Sequence, residues 1–213
     1  MRGRTLLLTG FEPFDGATEN PSADVVRALR GHRLGGAQIE GAVLSCCFGL
    51  SLRELRAALR LHRPDVVVAL GVAQGRDAIT PERIAVNLDD ARMPDNAGYA
   101  PIETRIVARG PAAYWSTLPV KAIVRDLGHG GIPARLSMTA GTYVCNHVFY
   151  GLMHAVRGRP TRAGFIHVPA ILDPAQPLSG GLPLAEIERG VKIALRTILR
   201  RRHDLDEGRG DYA

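Results

Sequence analysis

Residues 65–70 read Asp-Val-Val-Val-Ala-Leu, an apolar run without polar alternation that Gly71 closes. A run of this kind suits a strand covered on both faces, as parallel strands between layers of helices are. It belongs to a series that extends along the chain. Thr5 to Thr9, Ile39 to Leu44, Arg83 to Leu88, Ala134 to Met138 and Gly164 to Val168 also read as strands. Between them lie helical patterns. Asn20-Pro21 looks like a cap followed by proline in the first turn, with Val25, Val26 and Leu29 at helical spacing. Leu52, Leu55 and Leu59 mark a helix that ends near Arg63-Pro64; others span Leu118 to Leu127, Val144 to Val156 and Leu184 to Arg201. Residues 89–101 are turn-rich. The alternation predicts an α/β fold, a three-layer α/β/α sandwich around a mostly parallel sheet. With 213 residues, no internal repeat and no linker, the chain is read as a single domain, 1–213, with a frayed polar tail after about residue 203. Ligands of such sheets sit beyond the carboxyl ends of the strands. That singles out the loops after Thr9, Leu70, Met138 and Val168.

Charge and cysteine content narrow the function classes. The formal net charge is +6, but the basic residues are scattered, apart from Arg200-Arg201-Arg202, and no stacking aromatics accompany them. Nucleic acid is therefore not an expected partner, and the arginine run suits the C-terminal end of a helix. The apolar run near the N-terminus is too short for a signal peptide or a membrane span, so a cytoplasmic protein is expected. The three cysteines, Cys46, Cys47 and Cys145, form no disulfide framework and no zinc-ligand spacing. His147 lies two residues from Cys145 on a helix and faces elsewhere, so no metal site is expected there.

Cys145 falls in the first turn of a helix that follows a strand and a short turn. Unpaired amides and the helix dipole favour a thiolate at that position, so a lowered thiol pKa is expected. The alternative is a small buried cysteine with no chemistry. His167 ends the strand Gly164 to Val168 at the same sheet edge; it is either a base for the thiol or a satisfied core histidine. A Cys-His pair is the minimum for thiol acyl transfer. Glu82 could orient the histidine, or it could be a surface glutamate paired with Arg83 or Arg76. No serine-hydrolase elbow, P-loop or dinucleotide fingerprint is present.

These residues stand in longer motifs: LTGFEPFDG (8–16), ENPS (19–22), ITPERIAVNLDDARMPDN (79–96), GPAAYWSTLPVKAI (110–123), TAGTYVCNHVFYGLMH (139–154) and GFIHVP (164–169). In that order, across nearly the whole chain, they resemble the pyroglutamyl peptidase I family of cysteine peptidases. The resemblance implies hydrolysis of the amide bond after an N-terminal pyroglutamyl residue through a thioester acyl-enzyme. It implies a Cys145-His167-Glu82 triad, no cofactor and a homotetramer. It also implies that Phe11 and Phe14 flank the lactam, that Asn20, Val72, Tyr143 and Val144 line the pocket, and that Arg92 helps to hold the oxyanion. Two departures from the family pattern lie near that pocket. Val72 stands where a glutamine is usual, with Gln74 nearby, and Ser45-Cys46 replaces Pro-Thr. Two other readings use the same sequence: a purine nucleoside phosphorylase-like enzyme of similar layer order, and a binding protein that holds pyroglutamyl peptides without turning them over.

Overall fold

The computed structural model describes residues 3–173 and 180–208. In chain order its elements are β1 (Arg4–Phe11), α1 (Pro21–Leu29), β2 (Arg33–Leu34), β3 (Ala37–Leu44), α2 (Leu50–His62), β4 (Val66–Ala73), β5 (Thr80–Glu82), β6 (Ile84–Val86), β7 (Ala113–Trp115), α3 (Val120–His129), α4 (Val144–Val156), β8 (Arg162–Pro169) and α5 (Leu184–Arg200). Six strands form one sheet in the order β2-β3-β1-β4-β8-β5. The inner four are parallel, while β2 and β5 run antiparallel at the two edges.

The valine run behaves as its composition requires. Val66, Val68 and Leu70 point into a cluster with α1, α3 and α5, and Val67 and Ala69 point into a second cluster with α2 and α4. Both sheet faces are therefore apolar and both are covered, which is the expected three-layer sandwich. From β1 the chain crosses to β3 through α1, then returns past β1 to β4 through α2 on the other face. The reversal opens a crevice at the carboxyl ends of β1 and β4, where ligands of such sheets bind.

Two strands differ from the sequence reading. Arg83 to Leu88 does not join the main sheet; residues 84–86 pair with Ala113–Trp115 in a separate two-stranded ribbon packed against α4. Ala134 to Met138 lies along β5 yet forms only isolated bridges, at Ile79–Ala134 and Glu82–Ser137. The bonds run Ile79 N to Pro133 O, Arg135 N to Ile79 O, Ser137 N to Pro81 O and Arg83 N to Ser137 O. The missing middle bond would need an N–H on residue 81, which is proline.

The tail also differs over its described part. α3 has no side-chain cap from its own flank. Asp204 supplies it from the far end of the chain, accepting from Lys121 N (3.0 Å) and Ala122 N (2.9 Å). Residues 209–213 lie outside the described residues. The last carbonyls of α5 are met by Arg4 and Arg162 from β1 and β8, not by the Arg200–Arg202 run.

Candidate active site

α4 begins at Val144 after Tyr143, and no side chain caps its first amides. Cys145 is thus in the opening turn, as its sequence position implied, and is partly exposed. Its sulfur lies directly over β4. A Cβ on Gly71 would come within 2.8 Å of Cys145 Sγ and 2.7 Å of the Phe165 ring, so this position takes no side chain. Gly71 stands opposite His167 in the β4–β8 register. Neighbouring strands are about 4.8 Å apart, so the thiol and the imidazole rise from adjacent places on one sheet face.

His167 is 4% exposed and Glu82 is fully buried. His167 Nδ1 donates to Glu82 Oε1 over 2.7 Å. Among the described residues its other ring nitrogen has no hydrogen-bond partner, so Nε2 is the nitrogen left for the thiol. Glu82 is held in turn by Arg76, whose guanidinium lies 3.0 Å from Oε1. The pairing with Arg76 that could have made Glu82 a surface residue therefore coexists with the pairing to His167.

The electrostatics correct one expectation. Burial pushes the Cys145 thiol well above its ordinary value, with Cys46 and Glu82 adding to the effect and Arg76 opposing it. The pull of the helix N-terminus towards a thiolate is thus opposed by burial. Deprotonation requires a base at hand, and a neutral Cys-His pair can provide it when substrate arrives. Cys46 is also pushed up, to about 12, by burial and by Cys47, Glu12 and Asp95.

The remaining predicted residues fall into three groups. Phe14 and Tyr143 face each other, with ring centroids 6.1 Å apart at 42°, a wedge rather than a stack. Phe11 is buried instead against Phe165, 6.4 Å away, and has no ring contact with Phe14. Val144 is fully buried in the α2–α4 cluster. Asn20 spends its side chain on the loop: Oδ1 accepts from Ser22 N and Ser22 Oγ, and Nδ2 donates to Glu12 O. Arg92 is exposed and lines a cleft of about 440 Å³ with Asp90, Met93, Gly141, Thr142 and Tyr143, apart from the sulfur and imidazole. Larger clefts, of about 480 and 500 Å³, lie at the opposite end of the sheet beside Arg60, Arg63, Arg162 and Arg202, away from any cysteine. Among the described residues no group of three His, Cys, Asp or Glu side chains is placed to hold a metal ion.

A family profile described as pyroglutamyl peptidase matches residues 4–201. The chain belongs to the pyroglutamyl peptidase family. It is 49% identical over 212 residues to a pyrrolidone-carboxylate peptidase of Cupriavidus pinatubonensis, covering 97% of this chain and 98% of the relative. It is 50% identical over 203 residues to that of Chromobacterium violaceum, covering 94% and 95%. Among solved structures, pyroglutamyl peptidase I of Bacillus amyloliquefaciens superposes with a TM-score of 0.92 at 45% identity, covering 97% of this chain and all of that one. The pyrrolidone carboxyl peptidase of Thermococcus litoralis gives 0.91 at 37% identity, covering 96% and 99%. The protein is accordingly a cysteine-type hydrolase of the pyroglutamyl peptidase class.

Within this peptidase the two departures have local explanations. Val72 has the parity of Val68 and Leu70, so its side chain lies on the α1–α5 face, opposite to Gly71 and Cys145. With Gln74 it lines a small cleft of about 180 Å³ that also includes Phe14 and Ile171. Ser45 is tied to α2 through Glu54, by N and Oγ at 2.7 Å each. Cys46 is buried in the α2–α4 cluster. The sequence reading offered Arg76 only as a surface partner of Glu82, and it missed the pair Asp89–His147 behind α4. Asp89 lies within the 79–96 motif that also carries Glu82 and Arg92, which was the available sign for that pair, but nothing local joins it to His147.

Proposed function

We propose that Cys145, His167 and Glu82 hydrolyse the amide bond that follows an N-terminal pyroglutamyl residue of a peptide. The observation that carries this reading is the 2.7 Å Glu82–His167 bond next to Gly71, over which the sulfur lies. His167 Nε2 takes the thiol proton as Sγ attacks the carbonyl carbon. The same proton then goes to the leaving amine, and the C–N bond breaks to give a thioester. Water adds to the thioester with His167 again as base, which releases pyroglutamate and restores the thiol. Glu82 keeps the ring in the tautomer with Nδ1–H and stabilises its cation. The uncapped first amides of α4 hold the charge that develops on oxygen, and Arg92, in the cleft that Thr142 and Tyr143 also line, adds a longer-range positive field.

The lactam occupies the Phe14–Tyr143 wedge, with Phe11 and Val144 beneath it and the Val72 backbone at its side. Asn20 acts by shaping the Phe11–Phe14 loop through Glu12 and Ser22. A proline amide would leave the partners of the lactam carbonyl unpaired and would bring in a cation. We expect its kcat/KM to be lower by about a thousandfold or more; comparable values would sink this reading of the pocket. Turnover of a pyroglutamyl chromogenic amide, with and without iodoacetamide, tests the chemistry. Loss of activity with Cys145 unmodified by mass spectrometry would reject the nucleophile. Undiminished activity after complete alkylation of Cys145 would reject thiol catalysis. The working form is read as a cytoplasmic homotetramer acting on pyroglutamylated peptides, with the exposed Trp115 and Ile102 as apolar surface for assembly; light scattering checks the mass. Among the described residues no helix is long and apolar enough to cross a membrane.

A further inference from the structure

Behind the nucleophile sits a second buried acid–histidine pair that the proposed chemistry does not use. His147 is two residues beyond Cys145, about 200° around the helix, and is 6% exposed. Its Nδ1 lies 2.7 Å from Asp89 Oδ2, and its Nε2 lies 2.9 Å from the backbone N of Gly49. A backbone N–H can only donate, so Nε2 must be the bare nitrogen and Nδ1 must carry the proton. The ring is thus neutral, with both nitrogens taken, and cannot serve as an acid or base.

What it does instead follows from its neighbours. Gly49 is the N-cap of α2, with φ +71°. The adjacent Phe48 donates its own N–H to Asp95. The Phe48 ring stands edge-on to His147, at 5.3 Å and 80°, and edge-on to Tyr143, at 5.5 Å and 90°. Tyr143 then meets Phe14. A continuous row of rings therefore links His147 through Phe48 and Tyr143 to Phe14, and the Gly49 bond fixes where that row begins.

We infer that His147, oriented by Asp89, is a positioning residue for substrate binding: by holding Gly49 it seats Phe48 behind Tyr143 and sets the Phe14–Tyr143 wedge. The inference rests on the reading of that wedge as the lactam site. Three changes at position 147 separate its two bonds. His147→Ala removes both. His147→Gln keeps an acceptor for Gly49. His147→Asn keeps a donor for Asp89 but falls short of Gly49.

With a pyroglutamyl chromogenic amide, His147→Ala and His147→Asn are each expected to raise KM roughly tenfold with kcat changed less than about threefold. His147→Gln is expected to return KM to within about threefold of wild type. The rate of Cys145 alkylation by iodoacetamide should stay near wild type in all three, since the small reagent needs no wedge. Phe48→Leu leaves the Gly49 bond in place and is expected to reproduce the rise in KM, which keeps the test open if His147→Ala does not fold. A lower melting temperature with unchanged KM in the His147 variants would overturn the inference, as would Asn rescuing as well as Gln. Phe14→Ala is the control. If it leaves KM unchanged, the wedge is not the lactam site. If it raises KM while His147→Ala and Phe48→Leu do not, only the positioning role fails.

Discussion

Glu82–His167 and Asp89–His147 are alike on almost every local measure. Each is a buried carboxylate 2.7 Å from a histidine Nδ1, and each joins parts of the chain far apart in sequence. They differ in what the second nitrogen meets. Nε2 of His147 accepts from Gly49, whereas that of His167 has no such partner among the described residues and belongs to the ring beside Gly71 and the sulfur. A buried acid–histidine pair is therefore not in itself a catalytic signature. A free nitrogen next to a nucleophile makes it one, and a backbone donor on that nitrogen makes it a strut.

The sharpest way to break the comparison is to remove each ring. His167→Ala is expected to lower kcat by about a thousandfold or more, since base and acid are lost together. His147→Ala is expected to act mainly on KM. Equal loss of kcat in the two variants would erase the distinction. The carboxylates come next. Glu82→Gln keeps an amide that can still orient the ring and is expected to cost roughly ten- to a hundredfold in kcat. Asp89→Asn is expected to cost less than about fivefold, because the tautomer of His147 is also fixed by Gly49. A larger loss for Asp89→Asn than for Glu82→Gln would reverse the assignment of roles.

Titration sharpens the contrast further. Because burial raises the Cys145 thiol, alkylation near neutral pH depends on its neighbour. In His167→Ala the iodoacetamide rate at about pH 7 should fall and should keep climbing past the ordinary thiol value of 9.0. A plateau near neutrality in that variant would mean that something other than His167 ionises the thiol. In His147→Ala the profile should follow wild type.

The smallest effect concerns stability. Burial raises the Asp89 carboxyl above its ordinary value, and the hydrogen bond from His147 holds that rise in check. A carboxyl raised on folding binds its proton more tightly in the folded state. The stability it contributes is present at low pH and is lost as pH rises through the folded value. Removing His147 lets the value rise further, so the melting-temperature deficit of His147→Ala should be smaller at about pH 4.5 than at about pH 7. A deficit that grows on acidification would contradict the sign.

Much of this molecule was legible in one dimension. The run at 65–70 announced a strand covered on both faces, the Asn20-Pro21 pair announced a cap, and motif order announced the family. These are properties of adjacent residues: period, cap chemistry and spacing along a few turns. The failures were equally physical. Ala134 to Met138 has strand composition, but its ladder depends on an N–H that Pro81, more than fifty residues earlier, does not have. The polar tail resembled a free end, and only the fold brings Asp204 to the bare amides of α3.

The sequence by itself determined the layer order, the parallel core and the identity of the reactive thiol's family, because alternation and motif survive without knowledge of distant contacts. Tertiary structure decided which histidine has a free nitrogen, which face Val72 presents and how far burial works against the thiolate at Cys145. Each of those depends on groups that approach from strands and loops 50 to 100 residues away. Burial and hydrogen bonding between such groups are set by the packed sheet, and no local pattern encodes them.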